Sequence, residues 1–134
     1  MIIDASVAFK WIIEEPGSQA AIDWIGKADL LAPTLIHTEV GNALWKRVSK
    51  GEIESDPELA DRLSELKSYV RTLDETADMV RALQMAIELN HPIYDCVYLA
   101  MAERLADRLL TADGRFVRSL RSTRYVERVE ELSK

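Results

Sequence analysis

Four short apolar runs, "MII", "LLAP", "VRTL" and "RLLTA", recur along this chain, separated by stretches with helical spacing. Short strands that alternate with helices leave few architectures open, because such strands bury their faces by lying parallel under a cover of helices. The expected fold is therefore α/β: a short, mostly parallel sheet of four to five strands, flanked by a majority of helices, in one domain over residues 1–134. "RYVERV" is a candidate for the last strand.

The segments between the runs carry helix signals. The first extends through Trp11 and Ile13 and breaks at "EEPGS". Ser18 is expected to cap a helix bearing Ala21, Ile22, Trp24 and Ile25. A long helix is expected from about Thr34 to Lys50, closed by Gly51. Another starts at Pro57 and runs to about Tyr69. "TADMVRALQMAIELN" closes at Asn90, and Pro92 separates it from a helix that begins near Asp95.

Asp95 is the anomaly. At about 100° per residue, Leu99, Ala102, Leu105 and Ala106 fall within about 80° of it, so the acid lies on the apolar side of its helix. A carboxylate turned inward is costly without a partner. Two further acids, Asp4 after "MII" and Asp113 after "LLTA", end apolar strands. In open α/β sheets that is where ligands bind. Each acid also has an ordinary explanation: Asp4 as a helix cap, Asp113 as a turn residue, Asp95 as a partner of a helix N-terminus. Glu39 borders the arc formed by Ile36, Val40, Ala43, Leu44 and Val48, with Asn42 and Lys46 following, and the pattern leaves its role open.

Two unit charges about 4 Å apart repel by about 4 kcal/mol at an effective dielectric of about 20. Carboxylates sharing a pocket therefore need protons or a cation. An all-oxygen cluster without thiol or imidazole suits Mg²⁺ or Mn²⁺ rather than zinc. Such an ion can bind phosphate and activate water, which points to phosphodiester hydrolysis. His37 and His91 show no ligand spacing and read as structural or surface residues. The net charge of −6 argues against nucleic-acid binding by a generally basic surface, so any such role rests on a local patch or on metal. Arg115, Arg118, Arg121, Arg124 and Arg128 crowd the end of the chain and read first as a solvated face, with a phosphate- or partner-binding stripe as the alternative.

The remaining composition is bland. Hydrophobic residues at 48% fit a globular chain, and no apolar run approaches a membrane span. The single cysteine, Cys96, forms no intramolecular disulfide and reads as packing. With no leader pattern ahead of "MIIDAS", a cytoplasmic location is expected. Trp11, Trp24 and Trp45 read as core or interface, Tyr94 and Tyr98 stay open, and "ADRLSELKSYV" reads as core with a dimer interface as the alternative.

"DASVAFKW", "APTLIHTEVGNAL", "IYDCVYLAMAE" and "LLTADGRF", in that order over residues 4–116, resemble the PIN-domain nucleases and most closely the VapC-type toxins of prokaryotic toxin–antitoxin pairs. The resemblance implies a PIN-like fold with Asp4, Glu39, Asp95 and Asp113 as an acidic metal cluster. Ser6 and Thr111 match hydroxyl positions beside it, and Asn42 a polar one. It further implies Mg²⁺- or Mn²⁺-dependent endoribonuclease activity, a homodimer, and a cognate antitoxin that covers the site. Two other folds that place an acid after the first strand fit poorly. A haloacid-dehalogenase-type phosphotransferase wants a second acid where Ser6 stands, and a receiver domain wants paired acids and a late lysine. A PIN-like module that binds without turnover is the remaining competitor.

Overall fold

The hydrogen-bonding pattern of the short apolar runs fixes the architecture. In the computed structural model, which describes residues 1–134, the elements run β1 (Ile2–Ile3), α1 (Ala5–Ile12), α2 (Ser18–Asp23), β2 (Leu31–Pro33), α3 (Leu35–Ser49) and α4 (Glu58–Glu65). They continue with β3 (Arg71–Leu73), α5 (Met79–Leu89), α6 (Ile93–Arg104), β4 (Leu109–Thr111), α7 (Gly114–Ser119) and β5 (Val129–Glu131). All five strands pair in parallel, in the order β3-β2-β1-β4-β5. The chain is thus α/β with a five-stranded parallel sheet and a majority of helices, as the sequence predicts.

Ile2, Ile3, Leu109 and Leu110 are buried at the centre of the sheet, the pattern of strands covered on both faces. The helices form two packed sets: α1 lies on α2, α3 and α4, whereas α5 lies on α6, which also covers β1, β2 and β4. No helix is long and apolar enough to cross a membrane. The strand order reverses beside β1: successive strands step to one side as far as β3, and β4 then returns to the other flank. The crevice between the carboxyl ends of β1 and β4 is therefore the topological switch point, where such sheets bind ligands.

Several local expectations need correction. "RYVERV" is a 3-10 turn over Arg124–Arg128, and β5 begins only at Val129. The turn forms because Thr123 accepts a bond from the Tyr125 N–H and because Tyr125 buries its ring, with its hydroxyl bonded to Glu88. Ser18 does not cap α2. Its hydroxyl is buried, donates to the Ile13 carbonyl and accepts from the Glu15 N–H, so it pins the "EEPG" break instead. The helix from Pro57 stops at Glu65 and tightens over Leu66–Ser68, which turns Leu66 into the core. Leu105 and Ala106 lie beyond the end of α6, and Ala106 is exposed at φ 50°. Trp45 is exposed, whereas Trp11 and Trp24 pack on the core.

Candidate active site

Asp4 follows β1 directly, and its N–H bonds the Leu110 carbonyl, which extends the β1–β4 pairing as far as the acid. Its side chain caps α1: Oδ1 accepts from the Ser6 and Val7 N–H groups and from the Ser6 hydroxyl. Oδ2 accepts from the Thr111 hydroxyl on β4. Each of the two hydroxyls also accepts from the far strand's continuation, Ser6 from the Ala112 N–H at 2.8 Å and Thr111 from the Asp113 N–H at 3.0 Å. Asp4 is thereby fixed to both sides of the switch point.

The other acids arrive from three further elements. Asp113 caps α7 by accepting from the Phe116 N–H at 3.1 Å, and stands exposed at the mouth. Asp95, in the first turn of α6, is bonded to His91 Nε2 at 2.6 Å, and the His91 ring rests 4.9 Å from that of Phe116. Glu39, in α3, accepts from the buried Tyr98 hydroxyl at 2.6 Å. The start of α3 is itself held from a distance. Glu75 accepts from the Thr34 and Leu35 N–H groups and from the Thr34 hydroxyl, a cap the local sequence lacks.

Asp4, Glu39, Asp95 and Asp113 line one cleft of about 830 Å³, together with Ser6 and the exposed Asn42. Thr111 lies beneath it, fully buried. The ordinary explanations of the acids therefore hold alongside their convergence: the caps that Asp4 and Asp113 provide are what aim them into the cleft. His91 is the residue that sequence reasoning missed. It has no ligand spacing, but it stands four residues before Asp95 across the turn at Pro92.

Burial pushes the Asp4 carboxyl up to about 6, against the pull of the Ser6 and Thr111 hydroxyls and with a further push from the Asp95 charge. Burial also raises Glu39, opposed by its bond from Tyr98 and reinforced by Asp95. The Tyr98 phenol is held far above its ordinary value by burial and by Glu39, so it remains a donor. The Cys96 thiol is pushed up to about 11 by burial, as expected for a packing residue. Acids that resist ionisation side by side suit a cleft completed by a cation.

No three of the acids form a ready-made ligand set. The carboxylate donors are nonetheless all oxygen, and Mg²⁺ keeps several waters while taking one or two carboxylates. The cleft therefore fits a hydrated hard cation better than a closed cage. Two of the cleft's three cations are engaged: Lys10 Nζ and Arg47 Nη2 both bind Glu15, at 2.9 and 2.7 Å, which leaves Lys46. Removing the Tyr98 hydroxyl should leave Glu39 half-buried with its charge unsupported. For Tyr98→Phe, any activity that relies on Glu39 is expected to fall about 10–100-fold, with the acidic limb of its pH profile moved to higher pH.

Comparison with known proteins extends these observations over most of the chain. The PIN domain family model matches residues 1–119. The curated protein Ribonuclease VapC3 from Pyrobaculum aerophilum is 31% identical over 117 residues, covering 84% of this chain and 88% of that protein. The crystal structure of PAE2754 from the same organism matches at a TM-score of 0.69 and 25% identity, covering 94% of this chain and 90% of that one.

Proposed function

We propose a function from one premise: this chain belongs to the PIN-domain family. It is a divalent-metal-dependent endoribonuclease that hydrolyses RNA phosphodiester bonds, and it acts as the toxin of a VapC-type toxin–antitoxin pair in the cytoplasm. The observation that carries this reading is the meeting of Asp4, Glu39, Asp95 and Asp113, from four different elements, in one cleft at the switch point of the sheet. The similarity to a protein named as a VapC ribonuclease supports the choice of RNA and of the toxin class.

Mg²⁺ or Mn²⁺ held by these four acids would supply the positive charge that carries the scissile phosphate and activates water. The chain's own contribution is geometric. The Ser6 and Thr111 hydroxyls hold the Asp4 carboxylate in one orientation, Tyr98 holds Glu39, and His91 holds Asp95. Asn42, one turn beyond Glu39 on α3, lines the cleft as a supporting polar group beside the acids.

Two protein partners belong to the proposal: an antitoxin that covers the cleft, and a second copy of the chain. The exposed apolar stripe of Met79, Val80, Leu83 and Ile87 on α5 supports the second copy. "ADRLSELKSYV" does not, because Leu66 and Val70 are buried and Leu63 packs against the core.

The test is cleavage of a mixed RNA pool by the purified protein with Mn²⁺ or Mg²⁺ and with chelator. Asp95→Asn, purified identically, controls for contaminating ribonuclease. Cleavage is expected only with metal, and at least about 100-fold weaker in the variant. Equal signal from both proteins would overturn the reading, and RNA binding without cleavage would make the chain a binding module.

A further inference from the structure

We infer that Arg115, Arg118 and Arg121 form a track for the RNA backbone, carrying the substrate strand away from the acidic cleft along α7; this rests on the ribonuclease reading. All three are exposed, and none makes an ion pair or a side-chain hydrogen bond. Every other arginine of the chain is held by a carboxylate or a backbone carbonyl, from Arg47 on Glu15 to Arg128 on the Asp107 carbonyl. In a chain with 23 acids against 17 lysines and arginines, free carboxylates are plentiful, so arginines without partners on one short stretch stand out.

Their position gives the stretch a use. Asp113, the acid at the mouth of the cleft, caps α7, and Arg115 is two residues further on. Arg118 follows one helical turn later, a rise of about 4.5 Å, and Arg121 lies just past the end of the helix. A Cβ at Gly114 would stand 3.0 Å from Arg118 Nη1 and 2.6 Å from Glu131 Oε1, so the Arg118 guanidinium lies folded back over Gly114. Glu131 also lies over Gly114, beyond ion-pair distance of this guanidinium.

The cleft creates the need that the track meets. It is lined by acids, and Lys10 and Arg47 are both occupied by Glu15. Phosphates on either side of the scissile one find little free positive charge there beyond Lys46. Guanidinium groups suit phosphate oxygens through paired N–H donors. An RNA strand with one phosphate at the acids brings the next ones alongside α7, whereas an acidic polypeptide has no reason to begin at Asp113.

The test is the salt dependence of kcat/KM with Mn²⁺ on a single-stranded RNA long enough to span the track. Arg115→Ala/Arg118→Ala/Arg121→Ala is compared with the unaltered protein and with the corresponding triple lysine variant. Neutralising a phosphate on a single strand contributes about 0.7 to the slope of log affinity on log salt, so the alanine variant should flatten it by about 2. At low salt it should lose at least about tenfold in kcat/KM, while the lysine variant keeps most of the slope. Matching melting temperatures among the three proteins confirm that the fold is intact. An unchanged slope and kcat/KM in the alanine variant would overturn this inference while leaving the ribonuclease reading in place, and would leave the stripe to an acidic polypeptide partner. Absence of cleavage by the unaltered protein would remove both.

Discussion

Asp4→Asn is expected to reduce metal-dependent RNA cleavage by at least about 100-fold while leaving the metal-free protein as stable at pH 7, or more so. Burial raises the carboxyl of Asp4 from 3.8 to about 6. The folded protein therefore binds this proton more tightly than the unfolded chain does. Its contribution to stability is fully present below about pH 4 and is lost as the pH rises through about 6. At pH 7 the ionised group costs on the order of 3 kcal/mol, at 1.36 kcal/mol for each pKa unit. Asparagine removes that cost and is shaped to keep the bonds: its carbonyl accepts from Ser6 and Val7, and its amide can donate to the Thr111 hydroxyl.

Melts in chelator across pH 4–7 should show the variant gaining on the unaltered protein as the pH rises. The difference between the two isolates Asp4 from the other titrating acids. Added Mn²⁺ should raise the melting temperature of the unaltered protein alone. A variant markedly less stable at pH 7 would mean that the bonds to the carboxylate outweigh its burial.

Arg104→Ala should destabilise the fold by about 3 kcal/mol, near the lower end for breaking a buried ion pair. Asp78 is 2% exposed, and its oxygens accept from Arg104 Nε at 2.7 Å and Nη2 at 3.0 Å, whereas the arginine is 41% exposed. Truncating the exposed partner strands a carboxylate beneath the surface, which is where the loss arises. For a chain of this size the melting temperature should drop by roughly 10 °C. The double variant Asp78→Asn/Arg104→Met, which leaves no buried charge, should recover most of that loss. A loss under about 1 kcal/mol for Arg104→Ala would show that Asp78 reaches water when the arginine is gone. The pair matters to the cleft because it ties the start of α5 to the end of α6, the helix that carries Asp95.

The sheet was legible in the sequence because its signal is local. Three or four apolar residues closed by an acid or a proline identify β1, β2 and β4 without reference to anything distant. The same locality exposed Asp4 and Asp113, each the first acid after a strand. What holds the acids was not legible. The bond from Tyr98 to Glu39 spans 59 residues and the bond from Thr111 to Asp4 spans 107. No periodicity records such pairings. His91 read only as a structural or surface residue because ligand spacing was the wrong question for it: it touches Asp95 from outside the helix. "RYVERV" misled for a related reason. Its alternation imitates a strand, but burial of Tyr125 against Glu88 decides its shape. Trp45 is large and apolar but lies off the buried arc of α3, so of its two readings the core one fails.

The pairing of β1 with β4 carries a consequence for the cell that makes this protein. A ribonuclease is a hazard to the messenger from which it is being read. The hydroxyl that fixes Asp4 belongs to a strand 107 residues later. Until that strand has paired beside Ile2 and Ile3, only one wall of the crevice exists and the four acids do not meet. The topology therefore defers the cleft, and with it the activity proposed for the cleft, until β4 has folded into place.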